Sequence, residues 1–287
     1  MRSLPFALPL LASVLSVAVA SCCCPCKDGC GCDPSACDNI DLDPAPSGPR
    51  IDLGVSSHPA THTAGNPTVH EWTAQRLNPS GYRIGYRLSP TEAADIRKAL
   101  NDFARSVGYR PMNDDTFMWS PGPECQGDMR CVFENMAARG RPGVLPIAER
   151  FRQRATESGM TVLQATELIV AFVQDIRYEI PKAEPFGVLP PALVMSESRG
   201  DCDSKALLGL MLLRELNVSS ILISSEAHHH TMLAVALPAS GRSFTYAGQR
   251  YAFVECTAKG SPIGHINPEL LSPNDWRAVP VRVMAAP

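Results

Sequence analysis

Apolar and polar positions divide the chain into stretches of different character. Leu4 to Ala20 is apolar apart from Ser13 and Ser16, with Pro5 and Pro9 interrupting it. Residues 22 to about 67 carry almost no periodic apolar pattern, and a segment of that kind cannot bury enough surface to offset its chain entropy. Periodicity begins near residue 68. Gly81 to Arg87 alternates and predicts a short strand. Ser89-Pro90-Thr91-Glu92 reads as a helix start, with Ser89 as the cap and Pro90 in the first turn. Ala93, Ile96, Leu100, Phe103 and Ala104 then form an amphipathic stripe to about residue 106. Further helices fit 145–157 and 162–177, the second with a broad apolar face that should be buried. Leu207 to Leu213 is apolar nearly all round, which predicts a helix in the middle of a domain. Three strands follow, over 219–225, 230–237 and 251–257. The last two are expected to form a long hairpin around a Gly-containing loop.

The balance of 45% hydrophobic and 19% charged residues over 287 positions is that of a globular chain able to bury a core. The pattern of elements indicates an α+β fold. A net charge of −3 with no basic run argues against nucleic acid as a partner, because phosphate neutralisation needs a cationic face.

Arg2 followed by the broken apolar run reads as a secretory signal rather than a membrane span, which takes roughly 20 apolar residues. Val19-Ala20-Ser21-Cys22 resembles the bacterial lipobox. That resemblance implies cleavage before Cys22, acylation of its sulfur, and a chain anchored by lipid in the cell envelope. Cys23 does not match the Asp that resembles an inner-membrane retention signal, which favours the outer membrane. Losing Arg2 makes the mature chain one unit more negative, and a lipid tether lets such a chain sit at an anionic membrane without a polybasic patch. Cys23, Cys24, Cys26, Cys30, Cys32 and Cys37 then remain in the stalk. An exported chain favours disulfides among them; the spacing of Cys23 and Cys26 leaves a zinc half-site as the alternative. His58 and His62 sit among Pro and Thr and read as bystanders. Cys125 and Cys131, six apart in a loop-rich stretch, are expected to pair as a local disulfide.

Chemistry concentrates between residues 199 and 257. Asp201 is a good N-cap, which puts Cys202 in the first turn of the apolar helix. The partial positive charge there favours a thiolate, and the N–H groups of that turn can bind an oxyanion. His230 opens one predicted strand and Glu255 lies on its neighbour, so the two can meet across the pair. Imidazole then takes the thiol proton while the carboxylate orients the ring. Alternation puts Glu255 and Thr257 on one face and Cys256 on the other, which makes Cys256 a packing residue. His228 is the runner-up for the base, if the strand extends back. The run His228-His229-His230 also invites a metal site with Cys202 or Glu255. Adjacent residues of an extended chain point apart, which disfavours it, and no cofactor is expected.

Gly200-Asp201-Cys202-Asp203-Ser204-Lys205-Ala206, then His230-Thr231-Met232-Leu233, then Val254-Glu255-Cys256-Thr257, resembles the bacterial transglutaminase-like cysteine protease superfamily. The upstream Phe172 to Tyr178 resembles the helix end that precedes its cysteine loop. The likeness covers about residues 160–264. It implies a papain-like core, a central Cys-bearing helix on an antiparallel sheet, with Cys202 as nucleophile, His230 as base and acid, and Glu255 as third member. Glu replaces the Asp of many relatives and lengthens the reach. Gln174 resembles the side-chain donor of a papain-like oxyanion hole, although a polar helix-end glutamine needs no such role.

The organisation expected is a signal peptide over 1–21, a tether over 22–67, an N-terminal helical extension over 68–158 and the catalytic core over 159–287. The expected activity is that of a cysteine peptidase or amide hydrolase acting on a protein or peptide through a thioester. The alternatives are a crosslinking acyltransferase, a non-catalytic envelope scaffold, and a metal binder acting through its Cys-rich tail. The segment Glu184 to Pro191 is expected to line the substrate cleft or to be a plain connector.

Overall fold

The computed structural model describes residues 15–18, 49–61, 65–112, 116–122, 129–270, 272 and 275–282. Cys22, the stalk cysteines and Cys125 lie outside these residues. Leu15–Ala18 forms β1, inside the stretch expected to be a leader.

The folded chain starts earlier than the expected tether boundary at 67. Ile51–Ser57 is strand β2, with Leu53 buried. Thr68–Thr73 (β3) and Gly81–Arg87 (β4) follow. The three form a sheet in the order β2-β4-β3, in which β2 runs parallel and β3 antiparallel to β4. The apolar alternation of Ile51, Leu53 and Val55 is broken by a register shift between Asp52 and Val55, where Gly54 takes φ +83°. In the sequence Ile51, Leu53 and Val55 do alternate, so this strand is a short signal inside the stretch read as a tether. Residues 68–158 are accordingly not wholly helical.

Helix α1 spans Pro90–Ser106, and the Ser89 side chain accepts from Glu92 N as its sequence predicts. Arg110–Pro111 (β5) and Thr116–Trp119 (β6) are short, and β1 pairs with the free side of β6 in the order β1-β6-β5. Helix α2 then runs over Arg130–Glu157, twice the expected length, straight through Pro142 and Pro146. Each proline removes a helix donor and costs about 3 kcal/mol in isolation. Burial of Val132, Phe133, Met136, Ala137, Val144, Ile147, Ala148 and Phe151 offsets that cost. Cys131, in its first turn, is disulfide-bonded.

Helix α3, Val162–Asp175, starts with a capping box between Thr161 and Gln164. Arg177–Tyr178 (β7), helix α4 (Pro191–Glu197) and Arg199–Gly200 (β8) lead into α5, Cys202–Glu215. Strands β9 (Ser220–Ser225), β10 (His230–Val235), β11 (Ser243–Tyr246), β12 (Gln249–Val254) and β13 (Arg277–Val279) form an antiparallel sheet ordered β11-β12-β10-β9-β13. The connection from β10 to β12 holds an extra strand, β11, joined to β12 through Ala247 and Gly248, both at positive φ.

Helix α5 is enclosed by α2, α3 and α4 and by strands β9 and β10. This is the burial that its all-round apolar sequence predicts. A Cβ on Gly209 would stand 3.4 Å from Leu233 and 3.7 Å from Val173, so the missing side chain lets α5 sit close to both β10 and α3. Leu222, Leu233, Val235, Ala252 and Val254 face the helices, while Ile221, Ile223, Met232, Ala234, Tyr251 and Phe253 pack on the opposite face. One core runs from Leu53 to Val281 across the boundary expected at 158/159. Trp72 on β3, Phe151 on α2 and Phe172 on α3 meet within it, with ring centroids 5.2–5.9 Å apart. The fold is α+β, and its N-terminal and C-terminal parts share their interior.

Candidate active site

The start of α5 is built from its own first residues. Asp201 has extended φ/ψ, and its Oδ1 accepts from Ser204 N at 2.9 Å, so Cys202 occupies the first helical position. Ser204 Oγ also donates to Asp201 and accepts from Leu189 N at 2.8 Å. The helix mouth is thereby tied to the preceding segment. Cys202 is buried and is a thiol rather than half of a disulfide.

Strands β10 and β12 bring the histidine and the carboxylate together. Their register pairs Leu233 with Val254 and Ala234 with Phe253. Extended by the same step, it sets His230 across from Thr257 with Glu255 as its diagonal neighbour on that face. His230 Nε2 lies 2.9 Å from Glu255 Oε2. The other oxygen, Oε1, accepts from Thr257 N at 2.7 Å and Thr257 Oγ1 at 2.6 Å. Burial pushes the Glu255 pKa up, but the bond and charge of His230 and the two Thr257 donors outweigh it and hold the carboxyl at about 2. An ionised carboxylate only accepts, so Nε2 carries the proton and Nδ1 is the basic nitrogen of the neutral ring.

His228 goes elsewhere. Strand β10 begins at His230, and residues 226–229 turn, with His229 at φ +47°. His228 Nε2 lies 3.3 Å from Asp275 Oδ2. Trp276 stands beside both imidazoles, with ring centroids 5.9 Å from His228 and 6.2 Å from His230. His228 and His230 therefore pair with different carboxylates. Among the described residues Asp201, Cys202 and Asp203 bring metal-type atoms within 4.8 Å of one another, and Asp201 Oδ1 also caps α5.

Gln174 is fully committed. Its Nε2 donates to Glu255 O at 2.8 Å and Ser261 O at 3.0 Å, and its Oε1 accepts from Gly260 N at 3.1 Å. Both amide hydrogens are directed at backbone carbonyls, so Gln174 braces the chain after β12. A donor role toward an oxyanion would require giving up one of those bonds. The Glu184–Pro191 segment also takes a structural position. Phe186, at φ +61°, is buried against Tyr109, Phe117 and Trp119, and Val188 and Leu189 are fully enclosed. It forms core rather than the wall of an open cleft.

Cys256 is fully buried, and burial pushes its thiol up to about 12. This matches its expected packing role. Lys205 is the residue that sequence reasoning passed over. It is completely buried one turn along from Cys202, and its Nζ donates to Gln174 O at 3.2 Å and Ile176 O at 2.6 Å. Burial lowers its pKa to about 8 against the opposing fields of Cys256, Glu255 and Asp175. A lysine directly ahead of the apolar run Leu207–Leu213 is the signal that could have drawn attention to it. Thr257 was legible only as a strand neighbour of Glu255.

Compared with protein-family models, curated proteins and solved structures, the chain matches none. Among the described residues, no helix is long and apolar enough to cross a membrane.

Proposed function

We propose that the chain is a thiol enzyme with a transglutaminase-like, papain-like core, acting as a cysteine peptidase or amide hydrolase on a protein or peptide. The observation that carries this reading is the partly buried His230–Glu255 pair, His230 at the start of β10 and Glu255 directly after its neighbour β12. Cys202 heads α5, the helix that packs on β9 and β10. A solvated strand carboxylate would not need three donors, and a scaffold would not need an imidazole oriented by an ionised acid.

The chemistry follows from the tautomer. His230 Nδ1 takes the Cys202 proton, and the charge of Glu255 stabilises the imidazolium. The sulfur attacks an amide carbonyl, and the electron pair moves to oxygen beside the N–H groups of the first turn of α5. Collapse breaks the C–N bond while the Nδ1 proton passes to the leaving amine. A thioester remains. Water, deprotonated by His230, then releases the acid and regenerates the thiol. With an amine in place of water the product would be a crosslink, and hydrolysis is favoured because water is abundant. We further infer export, with acylation at Cys22 anchoring the mature chain in a bacterial envelope.

The test is alkylation of the full chain by limiting iodoacetamide across mildly acid to mildly alkaline pH, with the modified cysteine mapped by mass spectrometry. Selective reaction at Cys202 below neutral pH, slowed in His230→Ala and abolished at that site in Cys202→Ala, is expected. A Cys202 that reacts only near pH ~8.5, as an ordinary thiol does, would overturn the enzymatic reading in favour of a scaffold.

A further inference from the structure

The two halves of the proposed site lie on different elements, the thiol on α5 and the His230–Glu255 pair at the start of β10 and directly after β12. Apolar packing joins them, but burial is non-directional and does not by itself fix a register to a fraction of an ångström. Hydrogen bonds do, because they fail with small changes of distance and angle. One continuous chain of such bonds links the halves. Lys205, three residues after Cys202 on α5, donates to Gln174 O and Ile176 O at the end of α3. The Gln174 side chain in turn donates to Glu255 O. The Glu255 carboxylate then accepts from His230.

We propose that Lys205 is a positioning residue, which together with Gln174 sets the placement of the Cys202 helix relative to the His230–Glu255 pair. This rests on the thiol-enzyme reading above. The carbonyls that Lys205 satisfies are those left over where α3 ends, and a cation is the favoured partner at a helix C-terminus. A methionine would fill the same space without donating. A buried ammonium is costly to desolvate, and its retention among apolar neighbours is what a constraint on geometry would require. The charged and titratable groups around it are Asp175 on α3, Glu255 and Cys256 after β12, and Lys259 beyond them.

The experiment compares full-length wild type with Lys205→Met and Gln174→Asn. Lys205→Met removes both the cost of the buried charge and the two donors, effects that oppose in stability. Gln174→Asn keeps the amide but falls one methylene short of Glu255. Two readouts are taken on folded protein: the pH profile of Cys202 alkylation, and the low-field imidazole N–H resonance of His230. The expected result for both variants is alkylation at neutral pH slower by about tenfold or more, as misplacement of reacting groups produces. The His230 resonance should also broaden or shift. Variants that fold and reproduce both wild-type signals would overturn the proposal and make Lys205 a core residue only. If one variant does not fold, the other decides by the same readouts. An ordinary-thiol profile in wild type itself sinks the thiol-enzyme reading; a reactive wild type with unaltered variants sinks only the positioning role.

Discussion

Glu255 concentrates the electrostatics of the candidate site in one residue. Its carboxyl is held below the usual value of 4.5, at about 2, so the folded state favours the ionised form. The resulting stabilisation is present above about pH 4.5 and is lost as the pH falls toward 2. At its upper limit it is about 3 kcal/mol. Urea denaturation at pH 5 and pH 3 should therefore show a drop in wild type that is smaller in Glu255→Gln. An equal drop in both would mean that the carboxylate is not held as described. Cys256 provides the contrast. Its thiol is pushed up by burial, so alkylation of the native protein should leave it unmodified while Cys202 reacts, and it should become reactive only in denaturant.

At the level of elements, local sequence signals set helix ends, and tertiary burial sets helix length. The Thr161–Gln164 capping box starts α3. Thr161→Ala should cost about 1 kcal/mol, read as a lower urea midpoint at unchanged slope. Helix α2 shows the opposite control. It crosses two prolines because Gly143 lets it lie against β4 and α4. A Cβ there would come within 2.8 Å of His58, 3.0 Å of the Tyr86 hydroxyl and 3.1 Å of Ala192. Gly143→Ala should destabilise the protein by about 1–3 kcal/mol despite the better helix propensity of alanine, because the clash is with packed atoms on several sides. A thermal midpoint equal to or above wild type would show that the contact can relax. His58, which reads as a bystander in the sequence, thus lies against α2.

For the whole molecule, the shared core fixes where the chain can be cut. A chain beginning at residue 68, the boundary that the loss of periodicity suggests, would lack β2. It would expose one edge of β4 and the space filled by Leu53. Such a chain should be less stable and prone to associate through that edge, whereas one beginning at residue 49 keeps β2. Size-exclusion chromatography and thermal unfolding of the two would separate them, and equal behaviour would make β2 dispensable. The contact of Trp72 with Phe151 and Phe172 makes the same point from inside. Residues on either side of an expected domain boundary depend on one another for burial.

By itself the sequence determined what depends on nearest neighbours along the chain. The Ser89 and Asp201 caps, the buried α5, and strands β4, β9, β10 and β12 follow from local propensity and from periods of two or 3.6 residues. So does the alternation that puts Cys256 opposite Glu255. Tertiary structure alone decided what depends on partners distant in sequence. It extended α2 through its prolines, bent His228 toward Asp275, spent the Gln174 amide on two carbonyls and buried Lys205 at the end of α3. Those outcomes rest on satisfying buried polar groups and filling space between elements, and neither the donors nor the space can be counted until the elements have met.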